Sequence, residues 1–182
     1  PIMEATVEPA IPLPLLPAEN SISLCKVADV LNPLLASAIA IASERNLDLQ
    51  ADIPANLPPV KANAKELREV LTNLIDNALK YTPAGGKIYL QAGLEQDRMQ
   101  GIAISDTGVG IPPQDLEHMF ERHYRGEKAD SEIPGTGLGL AIAKELIEQM
   151  QGKIEVFSPA KWHPDSPRDR PGTTFIVWLI KG

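Results

Sequence analysis

The chain has 182 residues, 43% of them hydrophobic, 23% charged and 4% aromatic, which describes one domain with an aliphatic core and about 30 residues to spare. Seventeen basic against 24 acidic residues leave a net charge of −7, a balance that argues against nucleic acid or anionic lipid as a partner unless the basic groups are locally gathered. The single cysteine, Cys25, excludes an intrachain disulfide and a cysteine-rich metal cluster, no apolar run reaches the length of a membrane span, and the N-terminus lacks the marks of a secretory signal, so a soluble protein of a reducing, cytoplasmic compartment is expected.

Five prolines, Pro1, Pro9, Pro12, Pro14 and Pro17, fall in the first 17 residues. Their fixed φ and missing amides make residues 1–21 a linker or tail, with an edge strand over 13–16 as the alternative. Residues 22–182 are expected to form the domain. From Val27 the positions Val30, Leu31, Leu34, Leu35, Ala38, Ile39 and Ala42 recur at helical spacing. Pro33 is compatible with that helix if it begins close to Leu31 or Asn32. A short strand over 47–53 and a turn rich in proline follow.

A second helix starts at Asn63, which can cap the free amides while Glu66 returns the bond. Its apolar stripe is Leu67, Val70, Leu71, Leu74, Ile75, Ala78 and Leu79, and it stops near Thr82, Pro83, Gly85 and Gly86. Strands are predicted over 87–92 and 99–105 with a polar connection over 93–98, then a short helix over 112–119 and a long one over about 137–150. Two more strands, 153–157 and 174–180, close the chain. This order suggests an α+β fold, a mixed sheet with helices on one face.

Glycines cluster twice, each time just before a helix, where amides without a Cβ in the way can grip an anion. The clusters are Asp106-Thr107-Gly108-Val109-Gly110-Ile111-Pro112 and Gly135-Thr136-Gly137-Leu138-Gly139-Leu140. Each alone reads better as a tight turn than as an anion site. Neither fits the phosphate-loop or dinucleotide patterns. The second helix adds Asn73, Asn77 and Lys80 along one side. An amide carbonyl there suits Mg²⁺ and a lysine one turn on suits a phosphate, while a solvated helix face is the plain alternative.

Together these residues resemble a known family. Asn73-Leu74-Ile75-Asp76-Asn77-Ala78-Leu79-Lys80-Tyr81-Thr82-Pro83 is similar to the N box of sensor histidine kinases, Asp106 to Gly110 to their first glycine box, Phe120-Glu121-Arg122 to the F box and Gly135 to Leu140 to the second glycine box. The resemblance implies the Bergerat ATP-binding fold, a two-layer α/β sandwich with the nucleotide under a lid. It makes Asp106 the acceptor for the adenine amine and lets the backbone approach the base at Gly108 and Gly110. Asn77 becomes the Mg²⁺ ligand, Asn73 a support for metal and phosphates, Lys80 a phosphate contact and Tyr81 a neighbour of the nucleoside. Gly135, Thr136, Gly137, Leu138, Gly139 and Leu140 would hold the phosphates, and Thr174 would sit behind Asp106. Arg122 and Arg125 would contact phosphate from the lid, with solvated surface arginines as the alternative.

The implied function is the catalytic domain of a two-component kinase, which presents the γ-phosphate of Mg-ATP to a histidine on a separate dimerisation domain, with a response regulator downstream. The fragment is expected to be monomeric and inactive alone, and its parent a homodimer, cytoplasmic or membrane-anchored. The family's acceptor histidine is missing here: His118 and His123 lie in the lid and His163 in a late loop, all read as surface histidines. Truncation of a longer chain accounts for this, since the sequence starts at Pro1 without an initiator methionine. His123 also replaces an aromatic residue usual in the family. The connection over 158–172 is longer than usual, and its Trp162 reads as a partly buried loop aromatic or as a partner anchor. Two other functions remain. An ATP-hydrolysing gate would need a glutamate where Asn73 stands; a module that senses ATP without transfer would need only the binding residues.

Overall fold

The computed structural model describes residues 21–122, 139–161 and 171–182. Within them the elements run β1 (Ser23–Cys25), α1 (Val27–Glu44), β2 (Asp48–Asp52), β3 (Val60–Ala62), α2 (Ala64–Tyr81), β4 (Lys87–Gln96), β5 (Met99–Asp106), α3 (Pro113–Leu116), α4 (Gly139–Gln149), β6 (Lys153–Phe157) and β7 (Thr173–Ile180). Five strands form one sheet in the order β2-β4-β5-β7-β6, and β1 pairs with β3 in a small second one. β2 runs parallel to β4 and the other neighbours are antiparallel, so the sheet is mixed.

Strand alternation divides the apolar residues between two faces. Ile88, Leu90, Ile102, Ile104, Phe175, Val177 and Leu179 point to the helical side, where α2 buries all seven residues of its predicted stripe and α4 adds Ala143 and Ile147. The opposite face carries a smaller cluster around Ala103, Ile176 and Trp178, which no residue of a described helix joins. The expected mixed sheet with helices on one face is therefore observed.

Local sequence explains the element ends. Asn63 caps α2, its side chain accepting from the Glu66 amide at 3.1 Å. α1 stops where Asn46 takes φ 56° and the Leu47 amide reaches back to the Ala42 carbonyl at 2.8 Å. α4 ends the same way, with Gln151 at φ 60° and Gly152 bonded to Ile147 at 3.0 Å. Both are closures of the Schellman type, which satisfy the last carbonyls.

Four expectations are corrected. α1 begins at Val27, upstream of the predicted start, with Pro33 inside it. The carbonyl deprived of a partner by Pro33 belongs to Asp29, four residues back on the exposed side of the helix, where solvent can replace the missing amide. α1 is long and apolar enough to span a bilayer by composition, yet Val27, Val30, Leu31, Ala38 and Ala42 lie in the core. The connection over 93–98 is mostly strand: Gly93, at φ 84°, is a bulge between Ala92 and Leu94, and pairing continues to Gln96 opposite Met99. The three-residue strands β1 and β3 were not foreseen, and the last strand starts at Thr173, one residue earlier than predicted.

Candidate nucleotide site

Asp106 closes β5, and the chain turns at once. Its Oδ1 accepts from the Gly108 amide at 2.8 Å, a side-chain-to-backbone turn of the kind aspartate favours. Thr107 fastens the turn to β4: its Oγ1 accepts from the Lys87 amide at 2.8 Å and its own amide bonds the Lys87 carbonyl at 3.0 Å. Gly108 lies against the end of α2, where a Cβ would stand 2.6 Å from the Tyr81 carbonyl oxygen, so only glycine fits. Gly110 has φ 74°, a conformation costly for other residues. The first glycine box thus joins the end of α2 to the end of β5 by close backbone approach.

Asp106 is buried, and burial pushes its carboxyl up from 3.8, its ordinary value, to about 6, against hydrogen bonds from the Gly108 and Thr173 backbone that lower it. The group is therefore an ionised acceptor at neutral pH, held by two backbone donors in a largely dry site.

On α2, Asn73 and Asn77 are half-buried one turn apart, and Lys80 is exposed. Asn73 Nδ2 donates to the Gly139 carbonyl at 3.3 Å, tying α2 to the first residue of α4. Asn77 lies one turn along α2 from the Asn73–Gly139 contact. No cluster of three acidic, histidine or cysteine side chains suited to a metal occurs among the described residues.

Of the second glycine box, Gly139 and Leu140 are described, and Leu140 packs against the core. Gly135, Thr136, Gly137 and Leu138 lie outside the described residues, as do Arg125, His123, Trp162, His163, the central part of the expected lid and residues 1–20 of the expected linker. Phe120 meets the Phe175 ring edge-on at 6.4 Å, which roots the F box on β7. Arg122 pairs with Glu145 of α4 at 2.6 Å, both exposed. His118 is exposed, bonded to Glu121 at 2.8 Å, and that bond raises its pKa.

Thr174 is not behind Asp106. Asp106 pairs in register with Thr173, and residues directly opposite share a face. Thr174, one residue on, points to the other side, where its hydroxyl is 2.8 Å from Ser105 Oγ and accepts from the Lys161 amide at 3.1 Å. Strand parity carried the signal, since Phe175 had to face the core and Thr173 shares its side. Thr107 and Thr173 are the contributors that motif reading passed over.

A mixed sheet with helices on one face, a buried carboxylate at a glycine turn, and amides on the facing helix together define a nucleotide-binding domain. Residues 62–181 match the family described as histidine kinase-, DNA gyrase B- and HSP90-like ATPases. The chain belongs to this family, whose nucleotide is ATP. It is 47% identical over 161 residues to sensor histidine kinase Hik2 of Synechocystis sp., covering 86% of this chain and 37% of that protein. The chain therefore spans little more than a third of the length of that relative. The mycobacterial sensor histidine kinase MprB superposes with a TM-score of 0.67 at 26% identity, over 83% of this chain and 95% of that one. The catalytic domain of histidine kinase ThkA superposes at 0.72 and 22% identity, over 88% and 96%, which is a likeness of fold.

Proposed function

We propose that residues 22–182 are the catalytic, ATP-binding domain of a two-component sensor histidine kinase, which presents the γ-phosphate of ATP to a histidine on a dimerisation domain elsewhere in the parent chain. The observation that carries this reading is the amide at Asn73. A hydrolytic relative needs a carboxylate there to take a proton from water; Asn73 has none, and it spends its amide on the Gly139 carbonyl. With no base for water at that place, the bound triphosphate is kept for an acceptor brought from outside.

In this reading Asp106 and the Gly108–Gly110 turn take adenine, Tyr81 lies beside the nucleoside, and Lys80 meets a phosphate. Gly135, Thr136, Gly137, Leu138, Gly139 and Leu140 would hold the phosphates, with Arg122 and Arg125 as further phosphate contacts. Asn77 would hold Mg²⁺, with Asn73 in support; the ion supplies neutralisation of phosphate charge. The protein's own contribution is positioning, which converts transfer between two tethered domains into an oriented encounter. A homodimeric parent, a response regulator downstream and a cytoplasmic site for this domain complete the proposal.

The test is γ-labelled ATP with the chain alone, then with the dimerisation domain of the parent. Binding without turnover, followed by acid-labile, base-stable label on the added domain, is the expected result. Rapid phosphate release by the chain alone would support the hydrolytic gate instead, and tight binding with no transfer would support an ATP-sensing module.

A further inference from the structure

The first glycine box is held from two sides, and only one of them belongs to the motifs. On the motif side, the Gly108 amide is taken by Asp106. On the other, the chain around the start and end of the long connection between β6 and β7 reaches across. Ser158 Oγ accepts from the Ile111 amide at 2.9 Å and donates to the Gly172 carbonyl at 2.8 Å. The Gly172 amide in turn donates to the Gly108 carbonyl at 3.1 Å. Both ends of the Gly108–Ile111 arc are thereby fixed to the pair Ser158 and Gly172.

The packing leaves little slack. A Cβ on Gly110 would stand 2.6 Å from Pro171 Cγ and 2.9 Å from Ser158 Oγ, and a Cβ on Gly172 would collide with the Asp106 carbonyl oxygen. Gly172 has φ 69°, the left-handed conformation glycine tolerates. In the sequence Ser158 is only the first residue of a connection longer than usual, and no motif includes it.

We propose that Ser158 is a positioning residue for adenine recognition: its hydroxyl bridges the Ile111 amide and the Gly172 carbonyl and so sets the distance of the Gly108–Ile111 backbone from the base that Asp106 selects. The inference rests on the adenine-pocket reading above. The Ser158 hydroxyl bonds the Ile111 amide and the Gly172 carbonyl, whereas Asn73 bonds the Gly139 carbonyl on α4. Its loss should act on base recognition alone, since a glycine arc released at one end samples conformations that no longer match a planar base, and affinity falls by the fraction misplaced.

The test is calorimetric titration of the chain and its Ser158→Ala variant with ATP and with GTP, together with hydrogen exchange at the Ile111 amide and thermal melting. Ser158→Ala should weaken ATP about tenfold, the scale of one lost hydrogen bond of this kind. GTP affinity should stay as it was, so that the ATP preference shrinks by the same factor, and Ile111 exchange should accelerate. Ser158→Thr keeps the hydroxyl and should restore the ATP preference. ATP affinity unchanged in Ser158→Ala, or ATP and GTP weakened alike alongside a lowered melting temperature, overturns the proposal. So does a folded Ser158→Thr that behaves as alanine. A wild-type chain with no preference for ATP removes the adenine pocket itself, a failure visible before any variant is made.

Discussion

Asp106→Asn should separate stability from binding, because burial disfavours the charge of the carboxylate that we propose as the adenine acceptor. Its folded-state value of about 6, against 3.8 in the unfolded chain, means that the folded state holds the proton more tightly. Stability therefore falls as pH rises from about 4 to about 6 and stays lowered above that. The displacement corresponds to about 3 kcal/mol in the ionised state. Asparagine carries no such charge but has one carbonyl oxygen for the Gly108 and Thr173 donors, a loss of about 1 kcal/mol. The variant should thus gain about 2 kcal/mol at pH 8, or roughly 4–8 °C for a domain of this size, and the gain should be gone near pH 4 and become a deficit of up to about 1 kcal/mol below it. Binding should move the other way. With its oxygen facing Gly108, the amide presents N–H groups to the adenine amine, donor against donor, and ATP should weaken by roughly 10- to 150-fold, the range for a hydrogen bond to a charged group. Melting curves at pH 4 and 8 with calorimetry of ATP check both halves. A variant no more stable than wild type at pH 8, or one that binds ATP unimpaired, refutes the account.

Wild-type ATP affinity should itself fall as pH drops below about 6, where Asp106 takes up its proton; titrations across pH 5 to 8 should show it, and Asp106→Asn should be flat. Asn77→Ala should abolish the magnesium dependence of ATP binding while the melting temperature stays or rises, alanine being the better helix former. Gly139→Ala meets only Asn73 side-chain atoms at 3.6 Å or more, so it should leave stability unchanged or raise it by up to about 1 kcal/mol; any loss of ATP affinity by filter binding then belongs to the phosphates. Gly108→Ala drives a methyl into the Tyr81 carbonyl and should cost about 1–3 kcal/mol in urea unfolding. Arg122→Ala removes an exposed pair with Glu145 and should change stability by under about 1 kcal/mol.

The helix α2 was legible because its face is set by burial, whereas the predicted stripe of α1 includes Ile39, which is exposed. α2 follows its apolar stripe, its Asn63 cap forms, and its end at Tyr81 lies beside the predicted glycine stop. Where a few residues decide the outcome, sequence alone did not reach. Three residues cannot display alternation, which hid β1 and β3. Gly93 serves a bulge as readily as a loop, and Pro33 is tolerated because its cost falls on a wetted carbonyl. At the site, the motifs marked Asp106, Gly108, Asn73 and Asn77, but Thr173 and Ser158 act through register and a contact across 47 residues, which no local pattern encodes.

The two margins of the five-stranded sheet bear on how the domain behaves in crowded solution. Each is a strand of five residues, β2 at one side and β6 at the other. β2 begins and ends with an exposed aspartate, Asp48 and Asp52, while β6 holds the Lys153–Glu155 pair at 2.9 Å, with Lys153 also 5.8 Å from the Trp178 ring. A strand from another molecule would have to lie along carboxylates at one margin or strip an ion pair at the other, and short charged edges of this kind resist such addition. The apolar sheet therefore stops at its own boundaries, so concentrated protein should stay dispersed instead of growing strand by strand into aggregates.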